Sequence, residues 1–188
     1  MSVLILNASP HPRGPTAVIL HAIESGARDN KDVEWVDVNH LNMVPCIGCL
    51  RCRPDGECAL PEDDAQRIGR CIQEAESLVV GTPTYWGNMT GPLKLLFDRN
   101  VPVFESIDTG PRKPQQKGKT AIIVTSCDSP WPSSLLSSQG GGAIRAVRTV
   151  LSSAGYRIVG TIIYPNARRQ ADVPPSVLHR AVALGRRL

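Results

Sequence analysis

Residues 2–16, SVLILNASPHPRGPT, pass from an apolar, β-branched run through a polar, turn-rich loop and directly into an amphipathic segment reaching about Arg28. The run reads as a buried strand and the segment after it as a helix. The loop between them ends at a helix N-terminus, where free backbone N–H groups and the positive end of the helix dipole attract an anion. The Ser9 and Thr16 hydroxyls add hydrogen bonds there, and Arg13 adds charge. Neither G-x-x-x-x-G-K-[ST] nor G-x-G-x-x-G is present, so the loop has the form of a site for one terminal phosphate. The plainer reading is an ordinary strand–helix turn capped by Thr16.

The same pattern repeats along the chain. Residues 33–38, 77–82, 119–125 and 156–163 read as further strands. Helices are predicted from Pro61, with Glu62, Asp63 and Asp64 in the first turn, and over 90–99, 143–154 and 174–187. Near-continuous apolar strands alternating with helices imply a parallel sheet covered on both faces. Five strands fit an α/β, flavodoxin-like three-layer sandwich of order 2-1-3-4-5, with ligands at the carboxyl ends of the strands. The expectation is one such domain over 1–188. Two long loops, about 39–60 and 100–118, exceed the usual connection length and are candidates for function. Gly140-Gly141-Gly142 reads as a hinge before a helix, and Cys71 as a buried helix residue.

The first of those loops carries CIGCLRCRPDGEC, which places Cys46, Cys49, Cys52 and Cys58 within thirteen residues. Repeated C-x-x-C spacing lets a compact loop aim several thiolates at one centre, which suits an iron–sulfur cluster. Zinc usually takes two well-separated C-x-x-C pairs, and this run has no distant partner pair. A redox-active dithiol and a structural loop with reduced thiols are the other readings.

Composition excludes several classes. The 41% hydrophobic and 20% charged fractions are those of an ordinary globular chain, and no apolar run approaches the ~20 residues of a membrane span. MSVLILNASP lacks the features of a signal peptide, so a cytoplasmic location with reduced thiols is expected. The formal charge is +4, but only 4% of residues are aromatic, which argues against a nucleic-acid platform.

The third strand runs into Gly81-Thr82-Pro83-Thr84-Tyr85-Trp86-Gly87-Asn88-Met89. Two adjacent aromatics in a loop beyond a buried strand suit a wall for a flat ring. A packed loop, with Trp86 in a subunit interface, is the alternative.

Taken together, these segments resemble the NADPH-dependent FMN reductase and iron–sulfur flavoprotein family. Residues 8–16 lie in register with that family's G-S-P-R-x-x-G-N-T loop, and 82–89 with S-P-x-Y-x-G-x-M. Leu93, Lys94, Asp98 and Arg99 match x-L-K-x-x-x-D-R, and the cysteine run followed by Asp63-Asp64 resembles the family's compact cluster motif. The resemblance implies FMN, with Ser9, His11, Arg13, Gly14 and Thr16 around its phosphate and Pro83, Thr84, Tyr85, Trp86, Gly87 and Asn88 around its ring. It implies a third flavin-facing segment at Ser126, Cys127 and Asp128, and a [4Fe–4S] cluster on Cys46, Cys49, Cys52 and Cys58. The chain departs from the motif at Ala8, His11 and Pro15, which stand where the family has glycine, arginine and asparagine.

The function implied is an FMN-dependent oxidoreductase, with NAD(P)H as donor and a quinone, free flavin or other small acceptor. The competing reading is an electron carrier exchanging electrons with a ferredoxin-like partner, and a third is a flavin-binding regulatory protein without turnover. Trp86 and Trp131 beside an open flavin site imply a homodimer or homotetramer.

Overall fold

The structure, a computed structural model, describes residues 2–52, 56–106, 111–130, 138–168 and 172–188. Part of the Pro-Asp-Gly turn in the cysteine run, and Trp131 with Pro132, lie outside the described residues.

Five strands form one parallel sheet: β1 (Ser2–Asn7), β2 (Asp32–Asp37), β3 (Ser77–Pro83), β4 (Thr120–Ser126) and β5 (Arg157–Tyr164). Their spatial order is β2-β1-β3-β4-β5, the flavodoxin-like order expected. Alternation along β1 explains the layering. Leu4 and Leu6 enter one hydrophobic cluster while Val3 and Ile5 enter another on the opposite face, and all four are essentially inaccessible to solvent. Burying each is worth about 1.5–3 kcal/mol. A one-residue slip of this strand would exchange the two sets.

Helices α1 (Pro15–Ala27) and α6 (Pro175–Gly185) cover the Val3 face. They cross with their backbones in contact: a Cβ on Gly26 would stand 2.1 Å from the Val182 carbonyl oxygen, and one on Gly185 2.1 Å from that of Ile23. Helices α2 (Asp64–Glu74), α3 (Gly91–Arg99), α4 (Val101–Phe104) and α5 (Ser138–Ser153) cover the other face. Part of the long loop at 100–118 is therefore ordered into α4 and a short antiparallel pairing of Glu105–Ser106 with Lys113–Pro114.

Three expectations need correction. The helix predicted from Pro61 begins at Asp64, because Asp63 and Gln66 form a capping box: the Asp63 carboxylate accepts from the first-turn backbone, and Gln66 Oε1 accepts from Asp63 N at 3.1 Å. Pro61 and Glu62 thus precede the helix. The helix predicted over 143–154 starts at Ser138, so Gly140–Gly142 are helical, not a hinge before it. A Cβ at Gly142 would meet the Gly87 carbonyl oxygen at 1.8 Å, so close packing of α5 on the loop after β3 is what requires glycine there. Cys71 is partly exposed, with its thiol 3.6 Å from Glu34 Oε1.

Candidate functional site: three loops and a stapled cysteine loop

The segment after β1 is held from beneath. Ala8 N donates to Gly81 O at 2.8 Å, and Asn7 donates to Asp37 Oδ1 at 2.6 Å, so the ends of β1, β2 and β3 are laced together. Ser9 N donates to Asn7 Oδ1 at 3.1 Å, and the Ser9 hydroxyl bonds both the N–H and the carbonyl of His11 at 3.2 Å. Pro10 to Arg13 then stand exposed above a buried Ser9 and a buried Thr16. Gly14 is the N-cap of α1 and makes no side-chain cap, so the helix N-terminus keeps its orphan N–H groups for another acceptor. Pro15, one of the departures from the family motif, occupies the first turn, where a missing N–H costs little and the fixed φ suits the helix. Arg13 has no ion-pair partner among the described residues.

The segment after β3 forms a tight hairpin turn. Tyr85 and Asn88 exchange both backbone hydrogen bonds, at 3.0 and 2.9 Å, around Trp86 and Gly87. Both turn residues have positive φ, 52° and 74°, as a two-residue hairpin requires. For a tryptophan that conformation is strained, and its side chain is fully exposed, at 100%. Below the turn, Thr84 N donates to Ser126 O at 2.8 Å and the Thr84 and Thr125 hydroxyls share a bond of 3.1 Å. Asn88 Oδ1 accepts from Met89 N at 2.8 Å, and Thr90 N donates to the buried Thr82 hydroxyl at 3.1 Å.

The end of β4 joins the two. The Thr16 and Ser126 hydroxyls share a buried hydrogen bond of 2.7 Å, across 110 residues of sequence. The predicted phosphate loop, ring loop and third segment therefore meet at Ser126. Beyond it, Cys127 is buried and paired through its backbone to Tyr164 and Ala167, both at 3.0 Å, and partial burial raises its thiol pKa. Exposed Asp128 accepts from Arg168 N at 3.0 Å. Of this segment, Ser126 is tied to the other two loops, whereas Cys127 and Asp128 bind the loop after β5.

The cysteine loop is built differently. Cys46 and Cys49 are exposed, Cys52 and Cys58 partly so, and Val44, Ile47 and Leu50 carry apolar side chains into solvent. Within the described part of the loop the bonds are sparse: Gly48 N to Cys46 Sγ at 3.4 Å, and Gly56 N to Cys52 O at 3.1 Å. Its stem is closed firmly. Asn42 N donates to Asp64 Oδ2 at 2.7 Å, Val44 N to Asp63 Oδ2 at 3.0 Å, and Gln66 Nε2 reaches the carbonyls of Leu60 and Pro61 at 3.1 and 3.2 Å. Arg99, at the C-terminal end of α3, lies under this stem with its side chain fully buried. Its Nη1 donates to the Val44 carbonyl and to Asp63 Oδ2, both at 2.6 Å, and its Nη2 to Gln66 Oε1 at 3.0 Å. Partial burial works to raise the Asp63 pKa; the Val44 N–H, the Arg99 guanidinium and the Ala65 N–H outweigh it and hold the carboxyl below its usual range.

Four free thiols on one loop have the donor chemistry of a metal–thiolate site. Burial raises the Cys52 thiol pKa first, and Cys58, Cys46 and Cys49 are near enough to raise it further when ionised. Among the described residues, no three of these side chains converge on one point. The Arg99 Nε is buried with no hydrogen-bond partner among the described residues, which is the kind of orphan donor that a negatively charged group beside the loop would satisfy.

The sequence pattern of the NADPH-dependent FMN reductases matches residues 1–164. The chain belongs to this family. It is similar to an iron–sulfur flavoprotein of Clostridioides difficile, 30% identical over 181 residues that cover 94% of this chain and 73% of the relative. It also matches an iron–sulfur flavoprotein of Methanocaldococcus jannaschii, 32% identical over 104 residues, or 55% of this chain and 53% of that one. This chain thus spans about half the length of the latter relative. Among solved structures, an FMN-dependent NADH-azoreductase of Bacillus anthracis in complex with FMN superimposes with a TM-score of 0.72 at 15% identity, covering all of this chain and 97% of that one. That likeness is one of fold.

Sequence reasoning placed Arg99 in a motif without giving it a role. The available signal was a lone arginine at the end of an otherwise apolar helix face carrying Leu93, Leu96 and Phe97. Lys94 and Asp98 of the same motif are exposed and pair with one another.

Proposed function

We propose that the chain is an FMN-dependent oxidoreductase that takes electrons from NAD(P)H and delivers them to a small acceptor such as a quinone or a free flavin. The observation carrying this reading is the convergence of the post-β1, post-β3 and post-β4 segments at Ser126, through Thr16 and Thr84. An open helix N-terminus beside buried Ser9 and Thr16 hydroxyls suits the phosphate of FMN, and exposed Arg13 adds positive charge. Ser9 is already braced by Asn7 and His11, so it would meet the phosphate without reordering. Next to it, the Tyr85–Asn88 hairpin offers a rigid edge for a flat ring, with Trp86 and Tyr85 exposed to cover it. The flavin, when bound, supplies the hydride and electron chemistry. The protein's part is to hold it, shield one side from water and leave the donor's approach open.

Such a site open to solvent, with two exposed aromatics at its rim, favours a homodimer or homotetramer whose second subunit covers the ring. Among the described residues no helix is long and apolar enough to cross a membrane, and a cytoplasmic setting is the reading consistent with six free cysteines.

A second reading has a specific observation behind it. The stapled cysteine loop, its four free thiols and the orphan Arg99 Nε suit a [4Fe–4S] cluster on Cys46, Cys49, Cys52 and Cys58. A cluster would supply single-electron exchange, and a ferredoxin-like protein is then the partner.

The test is FMN titration of the apoprotein followed by anaerobic mixing with NADH or NADPH. The expected result is one FMN per chain, bleached by one of the two donors and reoxidised by a quinone. FMN that binds but is bleached by neither donor would remove the reductase reading; absence of FMN binding would remove the site.

A further inference from the structure

Arg99 occupies an unusual position for a cation. Its side chain is fully buried, and its guanidinium contacts both sides of the cysteine loop at once. On the chain before Cys46 it holds the Val44 carbonyl; on the chain after Cys58 it holds Asp63 and Gln66. Gln66 in turn grips Leu60 and Pro61. The cation therefore closes a ring of contacts around the base of a loop whose described residues make few bonds of their own.

Two further observations point from this ring toward the thiols. Arg99 and Cys58 line the same cavity of about 570 Å³, together with Gly69, Asn100 and Val103. The Nε donor remains without a partner among the described residues. A buried charge with an unused donor is costly to maintain unless it serves a neighbouring group.

We propose that Arg99 is the positioning residue of the cysteine loop: it clamps the two ends of the loop together beneath the four thiols and sets a fixed positive charge beside Cys58. The clamp is part of the protein itself, but its meaning rests on the reading of the loop as a metal–thiolate site. Lysine cannot replace it fully, because one ammonium lacks the planar fork that reaches the Val44 carbonyl, Asp63 and Gln66 together.

The experiment compares wild type, Arg99→Gln and Arg99→Lys, purified anaerobically with FMN and reconstituted with ferrous iron and sulfide. Iron and acid-labile sulfide per chain, the midpoint potential of the reconstituted centre and FMN content are measured. In iron-free protein, the rate at which iodoacetamide labels Cys46, Cys49, Cys52 and Cys58 is followed by mass spectrometry. Arg99→Gln is expected to bind iron about 10–100-fold more weakly, as for loss of an outer partner of a metal ligand. Its remaining centre should have a lower potential, its partly buried Cys52 thiol should label faster as the stem loosens, and its FMN should be retained. Arg99→Lys should restore the potential, which depends on charge, more fully than the iron affinity, which depends on the clamp. Wild-type iron loading, potential and labelling rate in Arg99→Gln would overturn the proposal. If wild type itself takes up no iron, the metal reading fails, and the labelling rates alone decide the clamp: equal rates in wild type and Arg99→Gln overturn it. Should Arg99→Gln not fold, Gln66→Ala removes one arm of the same clamp and is judged by the same measurements.

Discussion

The post-strand loops and the cysteine loop sit on one fold but are held in opposite ways. The former are bound along their length: Ala8 to Gly81, Thr16 to Ser126, Thr84 to Ser126 and Tyr85 to Asn88, with only side chains such as Arg13 and Trp86 left outside. Among the described residues the cysteine loop is bound mainly at its base, by Asp63, Asp64, Gln66 and Arg99, and presents Ile47 at 70% exposure above it. The difference matches what each would hold. A flavin is a large rigid ligand that gains affinity from a preorganised cradle. A metal–thiolate centre makes its own cross-links, so the chain need supply only a closed stem and the right donors.

The largest effect should come from breaking the stem. Asp63→Asn leaves the Arg99 charge buried without its carboxylate, and the cost expected for breaking such a pair is about 3–5 kcal/mol. Chemical denaturation should show it, while FMN affinity in the folded protein stays near wild type. A stem that tolerated this change would put the two regions on the same footing.

Breaking the flavin side should cost binding rather than folding. Arg13→Ala is exposed and unpaired within the fold, so unfolding should be unchanged while FMN affinity falls by about 1.5–3 kcal/mol, as for a hydrogen bond to a charged group. An isothermal titration showing unchanged FMN affinity would detach Arg13 from the phosphate. Thr16→Val is different in kind, since it leaves the buried Ser126 hydroxyl without its 2.7 Å partner. About 1–3 kcal/mol of stability should be lost, because a buried polar group is left unsatisfied.

Acid should loosen the stem selectively. Asp63 has a lowered folded-state pKa, so its contribution to stability is complete above the usual carboxylate value of 3.8 and is lost as pH falls through the lower folded value. Iodoacetamide is a poor probe there; hydrogen exchange of Val44 N, followed as pH falls below 3.8, should show the change in wild type and not in Asp63→Asn.

The smallest effect concerns the hairpin tip. Trp86→Gly relieves a left-handed φ of 52° in a fully exposed residue, so stability should rise slightly or hold, by less than about 1 kcal/mol. Any loss of FMN affinity or of subunit association in this variant then reports the ring or the interface rather than the fold, and unchanged binding and association would leave Trp86 without either role.

Much of this architecture could be read from the chain. Apolar runs of fixed length, alternating with amphipathic segments, determined the parallel sheet, because only two-sided burial accommodates strands such as VLIL, and five such strands fit the flavodoxin-like order that the structure shows. The segments after β1 and β3 were recognisable because helix-start and turn chemistry is local: hydroxyls, glycines and prolines there act through their own backbone. The segment at Ser126–Asp128 came only from the family resemblance. The cysteine spacing likewise announced four thiols on one loop. Helix boundaries at Asp64 and Ser138 were less legible: a capping box sets the first, and the close approach of Gly142 to Gly87 inside α5 explains why glycine sits there. Three relations came only from the tertiary structure: the Thr16–Ser126 hydrogen bond, the Arg99 clamp across Val44, Asp63 and Gln66, and the different tethering of the two loops. The first two join residues 33 to 110 positions apart. Such bonds depend on which side chains the packed sheet brings within about 3 Å of one another. Local sequence supplies the donors and acceptors, and only the fold pairs them.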